Sequence, residues 1–411
     1  MPFLFLLYIV NYIDRNNIGF AGLQMTGELR FSDAVFGLGS GIFFIGYVLL
    51  GIPGAMIVEK WSARKIMAAT MIAWGCVASA TGFIHTETQF YAMRFSLGVA
   101  EAAFFPGIIT YIGHWHRATD RAKAVAMFMA AIPVSQVIAA PISAALMRVH
   151  WLDLAGWRWL LILEGAPAVL CGFLIWIFLT DRPWQAKWLA PEERAWLTEE
   201  LRLESSRKQP ATRMPLLTVM RHRDIWLLCL AYFGGTTGNY GVSLWMPKMI
   251  QKLGGLSASE TSLLAAIPAA VAVPAMLLCG WHSDRSGERR WHTAAPRLAA
   301  GLALATVALP VVGLRGALVL FAIALSGIVA AYPPLWAIPT SFLGPAAAAA
   351  SIGLISSLGN LGGFAGPYVI GWVSTRTGSY VGGLLAVAVA LFLSGMVVVL
   401  VRARGGSATR E

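Results

Sequence analysis

The chain has 411 residues, of which 57% are hydrophobic and 12% charged, with a formal net charge of +11. A soluble domain carries about 25% charged residues, so this composition excludes a water-soluble globule and indicates a polytopic membrane protein. The positive charge is not a nucleic-acid signal, because most Lys and Arg stand in short segments between apolar runs, where the positive-inside rule puts them.

The opening run, MPFLFLLYIV, lacks a basic n-region and a small-residue cleavage site, so it reads as a first membrane span rather than a removed signal peptide. Eleven further apolar runs follow, each about 20 residues long, the length that crosses a bilayer. The twelve predicted spans are 2–24, 35–57, 66–84, 88–112, 122–147, 158–179, 225–250, 262–281, 293–313, 316–338, 346–373 and 380–401. An even number places both ends on one side. With that side taken as the cytoplasm, its loops and tail hold 22 of the 31 Lys and Arg. The opposite side holds seven, namely Arg30, Arg148, Arg158, Lys248, Lys252, Arg315 and Arg376, and two lie within spans. Both termini are therefore expected in the cytoplasm, in an inner (plasma) membrane.

The first span contains YIVNYIDRNNIGFA, which sets Asp14 beside Arg15 within the membrane. Each such charge costs about 2.5–3.5 kcal/mol at a span centre on insertion scales, so intramembrane acids and bases are functional candidates. The fourth span adds Arg94 and Glu101, seven residues apart, close to two helical turns and thus able to face one cavity. The last six spans are expected to carry no acid or base deep in the bilayer. A guanidinium presents a planar fork that fits a carboxylate, so Arg15 and Arg94 are candidates for gripping an anion. Asp14 and Glu101 are candidates for carrying a proton, because a carboxylate releases or takes one as a neighbouring base is gained or lost. The alternative is a static ion-pair network between the two spans. Glu164, in the sixth span, is expected to play a structural hydrogen-bonding part. Gln136 stands between Pro133 and Pro141 in the fifth span, where it faces either the cavity or another helix.

Between the sixth and seventh spans lies a polar segment, 181–224, containing PEERAWLTEELRLESSR, whose apolar spacing fits a short surface helix. The expected division is an N-terminal six-helix bundle at 1–180, this linker at 181–224, a C-terminal six-helix bundle at 225–402 and a tail at 403–411. The halves share a motif: GAMIVEKWSARK follows the second span and GWHSDRSGERR the eighth. Each has an acid–base pair and then more bases, an internal repeat of the kind secondary transporters carry. Glu59, Arg64, Asp284 and Arg285 in these motifs are candidate gating latches, with helix capping and topology signalling as the alternative.

In the second half the polar groups are tyrosines, amides and hydroxyls. Asn239, Tyr240 and Trp245 in the seventh span and Ser356 and Asn360 in the eleventh are candidate substrate contacts, since ligand pockets combine apolar walls with a few placed polar groups. The four cysteines (Cys76, Cys171, Cys229 and Cys279) fall in apolar runs without metal-like spacing, and His114 and His116 in GHWHR have the setting of solvated rather than metal-binding residues. No metal and no cofactor is expected. An HExxH, a GxSxG and a P-loop are all absent, which argues against a membrane-embedded enzyme.

The combination of NYIDRNNIGFA, RFSLGVAEAAFFPG, GWRWLLILEG, DRPWQAKWLAPEER, NYGVSLWMPKMI and LGNLGGFAGP resembles the anion:cation symporter family of the major facilitator superfamily, over essentially the whole chain. The resemblance implies an all-α fold of twelve transmembrane helices in two pseudo-symmetric bundles, and proton-coupled uptake of a small organic anion, a carboxylate or sugar acid, by alternating access. An exchanger or exporter of organic anions remains the alternative. It implies proton coupling at Asp14 and Glu101, direct substrate contact by Arg15 with Tyr12 beside it, and Arg94 paired to an acid such as Glu101. It also favours Tyr240 and Asn360 as substrate contacts. The expected partners are the anion, protons and the lipid bilayer, with no nucleic acid and the protein a monomer. Two departures stand out: Glu59 where the family has Asp, followed by Ser62-Ala63, and Ser356-Ser357 where relatives carry an amide.

Overall fold

The computed structural model describes residues 1–207, 222–342 and 345–402, and among them the regular structure is helical, with no strand. The helices of the first half are α1 (Pro2–Glu28), α2 (Asp33–Lys60), α3 (Ala63–Thr81), α4 (Glu87–Glu101), α5 (Phe104–Trp115), α6 (Ala118–Met129), α7 (Ala131–Leu146) and α8 (Gly156–Phe178). The linker carries α9 (Pro191–Arg207). The second half runs through α10 (Arg223–Gly254), α11 (Ala258–Ser286), α12 (Arg290–Val307), α13 (Leu314–Ala330), α14 (Tyr332–Phe342), α15 (Pro345–Asn360), α16 (Gly362–Thr377) and α17 (Val381–Val399). With α4–α5, α6–α7, α13–α14 and α15–α16 each taken as one interrupted crossing, the described helices make twelve spans. Seven stretches meet the length and apolarity of a membrane span on their own, the interrupted Glu87–Trp115 among them.

The four interruptions differ from the continuous spans expected at 88–112, 122–147, 316–338 and 346–373, and three have a local cause. Pro106, in the first turn of α5, has no N–H to return to the Ala102 carbonyl, so the helix that ends at Glu101 cannot continue through it. Pro333 and Pro334 do the same just after the α13–α14 break at Ala331. At Leu361 the break falls before the Gly362-Gly363 pair, residues of low helix propensity. Interrupted helices at membrane depth are where transporters build their binding sites.

Contact clustering divides the chain into two units. One gathers Met1–Arg30 with the helices from Ile42 through α9; the other gathers Phe31–Gly41, the first turns of α2, with the helices from α10 onward. In the first unit the most extensive pairing is α3 with α8. Gly75 lies against Gly165 and Val169, and Gly172 against Ala68 and Ile72; a Cβ at Gly75 would sit 2.8 Å from the Gly165 carbonyl oxygen. Small residues at such crossings allow the close approach that drives helix association in lipid. Asp181 closes the same region, accepting from the Ser62 hydroxyl (2.5 Å) and the Arg64 N–H (2.9 Å) at the start of α3. An anion belongs there, at the positive end of the helix dipole. The linker helix docks on this unit too: Glu204 pairs with Arg121 at 3.2 Å, and Trp188 stacks on Trp115.

Candidate functional site

The first unit holds a cluster of charged side chains that water barely reaches. Asp14, Arg94, Glu101 and Glu164 are buried, and the Arg15 side chain is 10% exposed. Asp14 and Arg15 stand on α1, Arg94 and Glu101 on α4, and Glu164 on α8. Glu101 is the last residue before the α4–α5 break, so it is held where the regular hydrogen-bond ladder ends.

Arg15 reaches across to Glu101, with its Nη2 2.5 Å and its Nε 3.2 Å from Oε2. The other carboxylate oxygen, Oε1, has no partner. Three rings surround the Arg15 guanidinium: Tyr12 at 5.2 Å, Phe43 at 5.4 Å and Tyr47 at 5.0 Å. Ring faces hold a desolvated cation by their quadrupoles. Phe43 also lies 5.0 Å from the Arg94 guanidinium, so one ring serves both bases. Gly98 makes this possible: it packs against the Phe43 carbonyl, and any side chain there would push α2 away from α4.

The resemblance implied the opposite division of labour, with Arg94 on Glu101 and Arg15 left for the substrate. In this structure Arg15 takes Glu101, while Arg94, 3% exposed, has no hydrogen-bonded or ion-paired partner among the described residues. Its charge is opposed at longer range by Asp14 and Glu101. The reason is reach: Arg94 and Glu101 share one face of α4, but two turns apart, whereas Arg15 enters from the neighbouring helix at the level of Glu101. Asp14 accepts instead from Asn17 at 3.1 Å, and its second oxygen has no partner. Gln136 is half-buried and makes no hydrogen bond among the described residues.

In the second unit, Asn239 and Tyr240 are buried within α10, and the Asn239 Oδ1 has no partner. Trp245 is fully buried, donates to the Pro367 carbonyl at 3.1 Å and packs edge-on against Phe36. Asn360 donates to the Ser356 hydroxyl at 3.4 Å.

The expectation that the last six spans carry no deep acid or base is corrected at Arg297, and Lys248, counted to an outer loop, is buried in the protein as well. Arg297, on α12, has zero exposure; its Nη1 donates to the Ala231 carbonyl and the Ser394 hydroxyl, and its Nε and Nη2 are unpartnered. Hydropathy placed it at a helix end because RRWHTAAPR reads as one basic run. The helical period, which puts it two turns beyond Arg290 on a core-facing side, was the available signal. Lys248, on α10, pairs with Asp33 at 3.1 Å and lies over Phe36. Asp33 in turn accepts from Ser374 at 2.6 Å. Arg158, also counted to an outer loop, is buried at the start of α8, where Glu28 accepts from it at 3.0 Å and from Trp157 at 2.6 Å.

Of the four latch candidates, Asp284 pairs with Arg289 at 2.5 Å rather than with Arg285, which lies over the Trp281 ring. Arg64 donates to the Leu179 carbonyl at 3.0 Å. The side chain of Glu59 lies outside the described residues, as do 208–221 of the linker and the tail at 403–411. No group of three His, Cys, Asp or Glu among the described residues is placed to hold a metal ion.

Comparison with known proteins completes the picture. The chain is 48% identical over 400 residues, 97% of its own length and 91% of the other's, to a protein of Agrobacterium vitis named "Putative tartrate transporter". It is 32% identical over 406 residues, 98% of this chain and 93% of the other, to the inner membrane transport protein RhmT of Escherichia coli. Among solved structures, it superposes with a TM-score of 0.80 on a bacterial homolog of the human lysosomal transporter Spinster, at 19% identity, covering 97% of this chain and 95% of that one. The D-xylose-proton symporter follows with a TM-score of 0.71 at 15% identity, covering 96% and 95%. Residues 4–367 match the description of the Major Facilitator Superfamily, and the chain belongs to that family of membrane transporters.

Proposed function

We propose that this protein imports a small organic anion together with a proton, by alternating access across the inner membrane with both termini in the cytoplasm. A hydroxylated dicarboxylate of the tartrate class is the first substrate to test. The observation that carries this reading is the buried pairing of Arg15 with Glu101 beside Arg94, a guanidinium with no hydrogen-bonded or ion-paired partner among the described residues. A buried base with no anion at hydrogen-bond range is costly, and a carboxylate entering the site supplies one. The incoming carboxylate docks on Arg94 and draws Arg15 from Glu101. Glu101, then buried without its base, takes up a proton, because an unpaired carboxylate in a dry site neutralises rather than stay charged. Anion and proton thus travel together without touching.

The name of the Agrobacterium vitis relative, identical at 48% of positions, supports the substrate class. Tyr12 is proposed beside Arg15, and Asp14 as a second proton-coupling acid. Gln136 in the first unit, and Asn239, Tyr240, Trp245, Ser356 and Asn360 in the second, are proposed as further substrate contacts. The buried Asn239 oxygen, which has no hydrogen-bond partner among the described residues, is the one of these left to accept from a ligand. Glu59, Arg64, Asp284 and Arg285 are proposed to act in gating, and the working unit is a monomer.

The test uses liposomes containing the purified protein and a luminal pH dye, with tartrate, malate, gluconate, glucuronate and benzoate added outside in turn. Acidification of the lumen with tartrate, lost in Glu101→Gln while counterflow of labelled tartrate survives, is the expected result. Alkalinisation would replace symport by exchange. Transport without proton movement would refute the role given to Glu101.

A further inference from the structure

Glu164 is the buried acid that the cluster above leaves unused. It lies on α8, which packs against α1, α3 and α7. From α7 the Ser143 hydroxyl donates to its Oε1 at 3.5 Å, and its Oε2 has no partner. At the far end of the α1–α8 contact Gln24 accepts from the Trp157 N–H at 3.0 Å; seven residues, about two turns, from that bond along each antiparallel helix, Asn17 and Glu164 come level with one another. The Asn17 amide donates to Asp14 Oδ1 at 3.1 Å. One neutral amide therefore stands level with two buried carboxyls, and each carboxyl keeps one oxygen without a partner.

The charges around them do not balance. Among the described residues, the interior of the first unit holds three buried acids, Asp14, Glu101 and Glu164. Two bases face them, Arg15, which is committed to Glu101, and Arg94. The remaining buried base, Arg158, is held by Glu28. Fully ionised, the cluster would carry one uncompensated negative charge out of reach of water, and two carboxylates that share a site do not both stay charged. Among the described residues no other charged group is paired with Glu164, and Lys65 stands beside Arg64 in the first turn of α3. On α3, Arg64 turns to the Leu179 carbonyl and Cys76 is exposed; α7 presents no ionisable side chain to it. On α8 itself Cys171 is a buried thiol.

We propose that Asp14 and Glu164, level with one another beside the Asn17 amide, share one proton and titrate as a pair, which makes Glu164 a third proton-holding residue beside Glu101 and Asp14. The pair keeps a proton beside Arg94 while Glu101 is occupied by Arg15. This inference rests on the proton-coupled reading above and adds a residue to it. The consequence has a definite sign. In the pair, the proton is bound against a second negative charge, which tightens its hold. With Glu164 made neutral, Asp14 alone binds the proton more weakly, so the pH above which uptake declines moves to lower values.

The experiment measures tartrate uptake and counterflow in liposomes as a function of external pH, for the wild type, Glu164→Gln and Glu164→Asp. Glu164→Gln is expected to shift the midpoint of uptake to lower pH by about one unit or more, the size of interaction that makes two sites titrate together. Counterflow at low pH is expected to stay within about twofold of wild type, and Glu164→Asp to keep the wild-type midpoint. A midpoint unmoved in Glu164→Gln, with the wild type acidifying the lumen, would leave Glu164 a structural hydrogen-bonding residue and overturn the inference alone. A wild type that moves no protons would instead overturn the symport reading, and this one with it. If Glu164→Gln does not fold, infrared titration of the wild type decides: a protonated-carboxyl band persisting at neutral pH and lost in Asp14→Asn is expected. Absence of that band at neutral pH overturns the proposal.

Discussion

Replacing either member of the Arg15–Glu101 pair is expected to cost much more than replacing both. Glu101 has zero side-chain exposure and Arg15 only 10%, so neither charge falls back on water when its partner is removed. Breaking a buried pair from one side costs about 3–5 kcal/mol, whereas exchanging the whole pair for neutral groups is close to neutral. The two single variants are not equivalent. In Glu101→Gln the guanidinium keeps the rings of Tyr12, Phe43 and Tyr47, which retain it by about 0.5–2 kcal/mol, so this variant falls at the low end of the range. In Arg15→Met the Glu101 carboxylate keeps no short-range partner and takes up a proton, so the loss includes the cost of that protonation and shrinks as the pH falls. The double variant is expected to be more stable than either single one, with a coupling energy of about 2–4 kcal/mol. Reversible unfolding in mixed micelles, followed by tryptophan fluorescence for all four proteins, measures the cycle. Single losses that simply add, within about 0.5 kcal/mol, would show that the two charges do not depend on one another and would refute the reasoning.

Arg94→Lys keeps the charge but loses the planar fork; a rise in KM of roughly tenfold or more for tartrate uptake, with unfolding unchanged, is expected in the liposome assay. Gly98→Ala forces a methyl group against the Phe43 carbonyl; overpacking of this kind costs about 1–3 kcal/mol, and the displaced ring is expected to lower uptake as well as stability. Glu28→Gln strips Arg158 of its counter-charge, but Glu28 is 38% exposed and water screens the loss. The expected destabilisation is about 1–2 kcal/mol, smaller than at Glu101, and the same unfolding assay ranks the two.

How much of this was legible in the chain itself follows from the range of each signal. Hydropathy is local, so the membrane class, the twelve spans and the Asp14-Arg15 and Arg94/Glu101 charges within them could be read in order along the sequence. The repeated motif after the second and eighth spans and the matching family motifs pointed to the superfamily. The interruptions at Ala102-Ala103, Ala331 and Leu361 carried a visible warning in nearby Pro and Gly, yet the runs around them remain apolar and read as unbroken. Burial is not a local property. Arg297 and Lys248 look like interfacial bases in the sequence, and only the helices packed around them show that they are inside.

Pairing was decided by the tertiary structure alone. Two bases and two acids on two helices admit several combinations, and composition does not choose among them. The crossing of α1, α2 and α4, set by a glycine against the Phe43 carbonyl, brings Arg15 rather than Arg94 to Glu101. The packing of α8 on α1 brings Glu164 level with the amide that already holds Asp14. Sequence determined which charges enter the membrane, because that cost is a property of each residue. Helix-to-helix register determined what each charge meets there, because a side chain's partners lie across a contact that no local pattern encodes.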